Sequence, residues 1–600
     1  MDKIAVLDFG GQYAHLIANR IRRLGVYSEI LDPETPLKNL LAFKGIILSG
    51  GPASVHAPES IKCDAGIYDS GIPILGICYG HQLTASLLGA EIEQGKVREY
   101  GAANVSFDLK DGIFEGVEDN ENVWMSHFDQ VVNLPEGFEI MGHTEDCPIA
   151  AMADLDRKIF SMQFHPEVTH TPCGKTILEN FVQITGAKRE WNIDTYIEDI
   201  SNEIKEKVGN KKVFLMISGG VDSTVAYLLL AKTLGADRVY GLFVDTGFMR
   251  MNEGKEVEAA LKEVGVKNLH VYDAGQEYFD ALKNVYEPEE KRKIIGDLFL
   301  DVQAKVSDEL NLNPDEWFLA QGTIYPDTVE TGGTKHADKI KTHHNQVERI
   351  LNLKKEGKVL EPLDQLYKDE VRLVGQRLGL AEKIVERHPF PGPGLAVRTL
   401  CLESEDYPEN HLELESKMSQ SIQSSGAKIK ILPIKSVGVQ GDERTYKHPA
   451  VIYGAELSWE ELDNLSTQMT NQYPEVNRVI FGLNNSNYDH LAIQKNYLKK
   501  DRILTIQKAD KIVMDYLDEV KISKEIWQFP TVLIPLSVDG QNTESVVLRP
   551  VCSQEAMTAN FYRMNFDHLK ELTKRLEALD GISGIFYDLT NKPPGTIEWE

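Results

Sequence analysis

Apolar positions in the first 188 residues gather in short unbroken runs. Residues 4–7 (IAVL), 45–48 (GIIL) and 72–76 (IPILG) each lead into a glycine-rich turn. Four or five consecutive apolar residues rich in β-branching read as strands buried on both faces, as in a parallel sheet. Helical stretches lie between them, so the pattern predicts an α/β domain with helices on both sheet faces. Residues 188–212 turn polar and charge-rich. They contain an amphipathic helix at 191–208 and read as a domain linker.

A second α/β unit opens at Val213. The apolar run VFLMI leads into SGGVDST, then a helix, then the strand VYGLFVD. This is a βαβ unit with a glycine-rich turn at the end of its first strand. The unit continues to about Arg398. It includes two segments expected to move, the Gly/Thr-rich 330–341 and the turn-rich HPFPGPG at 388–394. From residue 399 the chain changes character and repeats itself. LPIKSVGVQGD (432–442) is echoed by IPLSVDGQN (534–542), and VNRVIFGLNN (476–485) by ISGIFYDLTN (582–591). Two small α+β subdomains packed face to face are expected. The boundaries fall at 1–188, 189–398, 399–515 and 516–600.

Length and charge narrow the class. A chain of 600 residues holds about three or four domains. A net charge of -28 with no basic run argues against nucleic acid as a partner. The N-terminus MDKIAVLDFGGQ lacks a signal-peptide pattern. No apolar run reaches the roughly 18 residues of a membrane helix, so a cytoplasmic protein is expected. The six cysteines are scattered and form no CxxC pair, so neither a structural zinc site nor a disulfide framework is suggested.

Two segments carry chemistry. In Gly76-Ile-Cys78-Tyr-Gly80, between a strand and a helix, small residues permit a sharp turn that puts the sulfur at a helix N-terminus. There the thiol is acidified, and neighbouring N–H groups can hold an oxyanion. Phe164-His165-Pro166-Glu167 supplies a base and a carboxylate that, in extended backbone, point the same way. Ser49-Gly50-Gly51-Pro52 offers a second oxyanion donor, so Gly51 and Tyr79 form the expected hole. The second segment is Ser218-Gly219-Gly220-Val221-Asp222-Ser223-Thr224. Its glycines, hydroxyls and helix N-terminus suit phosphate, and without a GKS/T it is no Walker loop.

The GxCxG, HPE and SGGP strings together resemble the class I glutamine amidotransferases. The resemblance implies a flavodoxin-like domain with Cys78 as nucleophile, His165 as base and then acid, and Glu167 as its orienter. SGGVDST resembles the pyrophosphate loop of the ATP pyrophosphatases, which are doubly wound adenine-nucleotide α-hydrolase-like domains. That implies ATP held by Ser218–Thr224, with Mg2+ at Asp222. LAQGTIYPD (319–327), IKTHHN (340–345), HPFPGPGLAVR (388–398), SVGVQGD (436–442) and the tail KPPGTIEWE (592–600) resemble the GMP synthase family. This whole-chain likeness implies an α/β multidomain ligase with duplicated α+β C-terminal subdomains. Its partners would be glutamine, ATP and xanthosine monophosphate. Lys341 would steady developing negative charge, and Asp442, Gln528, Lys592 and Glu598 would contact the nucleotide monophosphate. The duplication favours a monomer over a homodimer. Two other readings stay open: an ATP pyrophosphatase amidating another carbonyl, such as an NAD precursor, and a nucleotide-binding regulator on an inactivated scaffold.

Overall fold

The computed structural model describes the whole chain except residues 12, 58–59, 311, 314, 329–352, 354–355, 441–442, 485–487, 489–490 and 554–558, and the side chains of 95–98, 100, 440 and 443. The described residues form two compact bodies. The first comprises the described residues of 1–203, 323–328 and 361–374, the second those of 204–322, 353–360 and 375–600.

In the first body, β1 (Lys3–Leu7), β2 (Tyr27–Leu31), β3 (Gly45–Leu48), β4 (Ile74–Ile77), β5 (Ile92–Phe107), β6 (Asn120–Val131), β7 (Glu139–His143), β8 (Ala151–Asp154) and β9 (Ile159–Met162) make one sheet. Its order is β2-β1-β3-β4-β9-β8-β7-β5-β6. The first five strands in that order run parallel, and the remaining pairings are antiparallel. Alternate residues of β1 enter opposite cores: Ile4 and Val6 pack on one side, Ala5 and Leu7 on the other. That two-sided burial is why the strand reads as an unbroken apolar run. The parallel order reverses around β1, so the carboxyl ends of β1, β3 and β4 line one crevice.

Residues of 323–328 and 361–374 pack on this body too. Arg22 lies over the rings of Tyr27, Tyr325 and Tyr367 at 4.5, 4.7 and 5.0 Å. It pairs with Glu370 at 3.3 Å, and Tyr325 Oη accepts from the Ile30 N–H at 2.8 Å. Burial opposes the Arg22 charge, but Glu370 and the tyrosines outweigh it and raise its pKa. A buried guanidinium with stacked rings and one carboxylate partner is a costly charge made tolerable by its neighbours.

Among the described residues the second body holds two larger sheets and two two-stranded ones. One of the larger sheets is fully parallel: β10 (Lys212–Ile217), β11 (Val239–Asp245), β12 (Leu269–Asp273), β13 (Trp317–Ala320) and β14 (Val359–Leu360), in the order β12-β11-β10-β13-β14. The order reverses at β10, so the crevice at its carboxyl end is the natural ligand position. The other larger sheet unites β15 (Lys428–Ile431), β16 (Ser436–Gln440), β17 (Glu443–Tyr453), β18 (Val476–Gly482), β19 (Thr531–Ile534), β20 (Glu544–Leu548) and β21 (Ile582–Asp588). Its main path runs β15-β17-β18-β21-β20-β19, with β16 on β17.

That path corrects the expected face-to-face packing. Each repeat contributes two antiparallel strands, a helix (Trp459–Gln472 or Phe566–Glu577) and a strand parallel to its second. The two copies then join edge to edge, with β18 antiparallel to β21. Hydrogen bonding of the exposed edges removes two unpaired strand borders at once, which face-to-face packing would leave open. Residues 388–394, expected to move, are pinned on both sides: His388 lies 3.0 Å from the Ser523 carbonyl, and Leu395 N–H donates to the Phe248 carbonyl at 2.7 Å.

At the seam between the copies, Asp588 is fully buried and shared by Arg478 and Arg549 at 2.8 and 2.9 Å, with Trp599 Nε1–H at 2.9 Å. Burial raises the Asp588 pKa, but the two guanidiniums outweigh it and hold the carboxyl below its usual range. Burial and the nearby Arg549 depress Arg478 to about 9. Asp588→Ala would leave two buried cations without their shared anion. It should cost about 3–5 kcal/mol, seen as an earlier chemical-unfolding transition of this body, whereas Asp567→Ala at an exposed helix start should shift it far less.

Candidate active sites

Cys78 sits between β4 and the helix Tyr79–Leu87, with φ +52° and ψ −104°. An L-residue adopts this conformation only when its surroundings force it. The forcing comes from glycine. A Cβ on Gly76 would lie 2.6 Å from the Gly80 carbonyl oxygen, and one on Gly80 would strike the Leu48 carbonyl. So β3, β4 and the helix meet backbone to backbone, and the sulfur is left at the crevice with 7 % of its residue exposed. The first N–H groups of a helix have no intrahelical partner. The Tyr79 N–H is among them, beside the thiol.

His165 and Glu167 meet as expected, by a different route. Pro166–Glu167 forms a turn rather than extended strand. The turn still brings Nδ1 to 2.7 Å from Glu167 Oε1. That leaves Nε2 free of the carboxylate, and the Cys78 sulfur lies near enough to help raise the ring's pKa. A Cβ on Gly50 would come within 3.2 Å of His165 Cε1 and 3.6 Å of Cys78 Cβ. The Ser49–Pro52 turn, nucleophile and base thus converge at one point. Gly51 also admits no side chain, because its Cβ would lie 2.7 Å from the Phe9 carbonyl oxygen. Gly80 N–H donates to the Ser49 carbonyl at 3.1 Å, tying that turn to the helix start.

Burial alone would lower the His165 pKa. The Glu167 carboxylate and the Cys78 sulfur outweigh it and hold the ring well above its usual 6.5. A base whose folded pKa is raised adds stability below its unfolded value and loses that contribution as pH climbs through the folded value. Thr171 Oγ1 donates to the His165 carbonyl at 2.7 Å, and Arg20 Nε to the Glu167 carbonyl at 3.0 Å. Both fix the turn.

Sequence reasoning missed three neighbours. Gln163 is fully buried, and its Nε2 stands 3.7 Å from Cys78 Sγ. The Ser126 carbonyl lies 3.7 Å from the same sulfur. Tyr13 packs edge-on to His165 at 5.1 Å. Only Gln163 left a signal, since it lies two residues before the histidine on the way out of β9.

In the second body, SGGVDST follows β10 and opens the helix Val221–Leu234. Gly219 has φ +82°, and a Cβ there would press on Glu253 Oε1 and Phe243. The two serine hydroxyls lie 3.1 Å apart, and Ser218 N–H donates to Ser223 Oγ at 3.2 Å. Thr224 Oγ1 returns to the Gly220 carbonyl at 2.9 Å. Val221 and Asp222 stand in the first helical turn. Asp245, at the end of β11, accepts from the Gly247 N–H at 2.9 Å, so a second tight turn stands beside the loop. A Cβ on Gly322 would lie 3.0 Å from Ser223 N and Cα, so LAQG approaches the loop as bare backbone. Glu253, unforeseen from sequence, lies buried beneath the loop. Burial raises its pKa against the pull of Arg250 and Arg387.

The predicted nucleotide contacts divide. Gln528 and Glu598 meet: Gln528 Nε2 donates to Glu598 Oε1 at 3.3 Å. Arg398 grips the same carboxylate through Nε and Nη2 at 3.0 and 2.7 Å. Arg398 was not foreseen, although it closes HPFPGPGLAVR. Lys592 is half-buried, and burial and then Arg549 lower its pKa. Lys341 and Asp442 lie outside the described residues.

The base's raised pKa depends on Glu167. Glu167→Gln should remove the largest contribution that opposes burial and lower the His165 pKa, with the Cys78 sulfur still opposing burial. Iodoacetamide should then alkylate Cys78 at least tenfold more slowly at neutral pH. Ring NMR titration and peptide mapping check the two effects.

Residues 5–184 match the family model of glutamine amidotransferase class-I, 193–298 that of NAD synthase, and 515–599 the GMP synthase C terminal domain. A protein of Leptospira interrogans named "Probable GMP synthase (glutamine-hydrolyzing)" is 47% identical across 100% of this chain and 99% of its own length. The Aquifex aeolicus GMP synthase (glutamine-hydrolyzing) is 42% identical over 80% of this chain and 97% of its own. A solved glutamine amidotransferase of Thermotoga maritima shares 22% identity over 34% of this chain and 85% of its own, with a TM-score of 0.25. With an amidotransferase elbow in one body, a phosphate loop in the other and a relative alike from end to end, the chain belongs to the family of glutamine-hydrolyzing GMP synthases.

Proposed function

We propose that this chain makes GMP from xanthosine monophosphate, with nitrogen from the side-chain amide of glutamine and with ATP cleaved to AMP and pyrophosphate. The observation that carries the reading is the Cys78–His165–Glu167 geometry, present in the same chain as a phosphate loop of the non-Walker kind. Cys78 attacks the amide carbon, and the oxyanion falls toward the N–H groups of Tyr79 and Gly51. His165 hands its proton to the leaving nitrogen, ammonia departs, and water attacks the thioester to release glutamate.

The carbonyl oxygen at C2 of xanthosine monophosphate attacks the α-phosphorus of ATP, and pyrophosphate leaves. Ammonia then adds at C2 and AMP departs with the oxygen. Residues Ser218–Thr224 hold the pyrophosphate end through backbone N–H groups, hydroxyls and the helix N-terminus. Asp222 and the hydroxyls of Ser218 and Ser223 are hard oxygen donors of the kind magnesium takes. A bound ion would neutralise pyrophosphate charge there. Gln528, Lys592 and Glu598 are assigned to the nucleotide monophosphate, with Arg398 holding Glu598 in place. Lys341 and Asp442 keep their assignments from the family resemblance alone.

The NAD synthase match over 193–298 would also suit another acceptor carbonyl, whereas the match over 515–599 favours xanthosine monophosphate. Because the two C-terminal copies already pair within one chain, the protein is assigned as a monomer. Among the described residues no helix is long and apolar enough to cross a membrane. The reading carries with it a cytoplasmic location.

Cys78→Ala should abolish synthesis from glutamine and leave synthesis from added ammonia near its original rate. Equal loss of both contradicts separate sites. Asp222→Asn should reduce both routes by roughly 10²-fold or more, followed by AMP release. An intact ammonia route in that variant removes the loop from the mechanism.

A further inference from the structure

Away from the triad, the first body carries a trio that the reaction does not use. Glu99 on β5, His127 on β6 and Cys147 in the turn before β8 place a carboxylate oxygen, an imidazole nitrogen and a sulfur within 4.8 Å of one another. It is the one such trio among the described residues. The His127 and Glu99 side chains are only 3 and 11 % exposed, and Cys147 is fully buried.

The hydrogen-bond accounting is incomplete for a neutral ring facing an ionised carboxylate. His127 Nδ1 lies 3.1 Å from the Asp129 carbonyl, an acceptor only, so Nδ1 must carry a proton. Nε2 lies 2.9 Å from Glu99 Oε2, also an acceptor. A hydrogen, carried by the ring or by the carboxyl, or a cation in its place must stand between Nε2 and Glu99 Oε2. An Nδ1–H committed to a backbone carbonyl is the usual support of a metal-binding histidine. The other ligands are supported too. Thr144 Oγ1 donates to Glu99 Oε1 at 3.0 Å and accepts from the Cys147 N–H at 2.8 Å. Thr144 N–H donates to the Cys147 carbonyl at 2.9 Å and closes the turn that sets the sulfur.

We propose that Glu99, His127 and Cys147 form a binding site for a thiophilic divalent cation of the zinc class, with water as fourth ligand. One imidazole, one thiolate and one carboxylate suit a borderline-soft ion and suit magnesium poorly. Zinc bonds of about 2.0–2.3 Å put tetrahedral ligands roughly 3.3–3.7 Å apart. The trio must therefore contract by about 1 Å, which rotation of the Glu99 side chain, the most exposed of the three, can supply. On binding, the Cys147 S–H proton and any proton on Nε2 pass to solvent, and no electron is transferred.

The site borders the nucleophile. The Asp129 carbonyl that takes His127 Nδ1–H also accepts from Gln82 Nε2 at 2.7 Å. Gln82 reaches Gln163 Oε1 at 3.1 Å, and Gln163 reaches Cys78 Sγ. An ion on His127 is thus two side chains from the reactive sulfur.

The test uses the full chain carrying Cys78→Ala, which removes the thiol that would compete for metal beside His165. Titration with Co2+ should give one equivalent bound, with a sulfur-to-cobalt charge-transfer band displaced by Zn2+. Adding Cys147→Ser should abolish the band. Glu99→Gln, which keeps a bond to Thr144 and is partly exposed, should weaken Co2+ binding at least tenfold, while leaving the metal-free thermal midpoint unchanged. Absence of a charge-transfer band, a band that survives Cys147→Ser, or affinity unchanged by Glu99→Gln would each overturn the proposal.

Discussion

The two catalytic assignments depend on one constraint: backbone must approach backbone with no side chain between. At Gly76 and Gly80 an added methyl would collide with a carbonyl oxygen, and at Gly322 it would crowd the start of the phosphate loop. Each close approach lies at the carboxyl end of a parallel strand, where a helix begins and its first N–H groups face outward. The same geometry serves two kinds of anion. In the proposed reaction it would hold a transient oxyanion in one body and phosphate in the other. The positive φ of Cys78 is where this constraint is felt as strain.

Much of this was legible in the sequence because glycines at fixed offsets, between an apolar run and a helix, specify a tight turn. GICYG and SGGVDST each state both that turn and the dipole that follows it. The His165–Glu167 contact was legible as a pair but not as a conformation. Proline at 166 bends the segment into a turn, and the pair survives because a turn also brings i and i+2 together. Gln163 left only its place two residues before the histidine, and Tyr13 and Arg398 left no spacing at all. All three meet their neighbours through tertiary position, which short-range spacing does not specify. The Glu99–His127–Cys147 trio was hidden more completely, since its ligands come from two strands and a turn and no short cysteine spacing announces it.

The repeat after residue 399 was visible, but its packing was not. Short apolar strings specify strands without specifying which border they share. The structure resolves this by pairing β18 with β21, and the charge network of Asp588 with Arg478 and Arg549 sits where the copies meet. The C-terminal tail uses that network: Trp599 donates to Asp588, and Glu600 pairs with Lys291 and Arg292. Glu598, proposed to contact the nucleotide, thus stands in a segment fixed by buried charge.

The measurement closest to the heart of this account is mass spectrometry of the protein acid-quenched during turnover with glutamine. A glutamyl group carried by the peptide that contains Cys78, and by no other cysteine peptide, is the predicted result. Steady turnover with the acyl group on a different cysteine, or with every thiol unmodified across the time course, would contradict it.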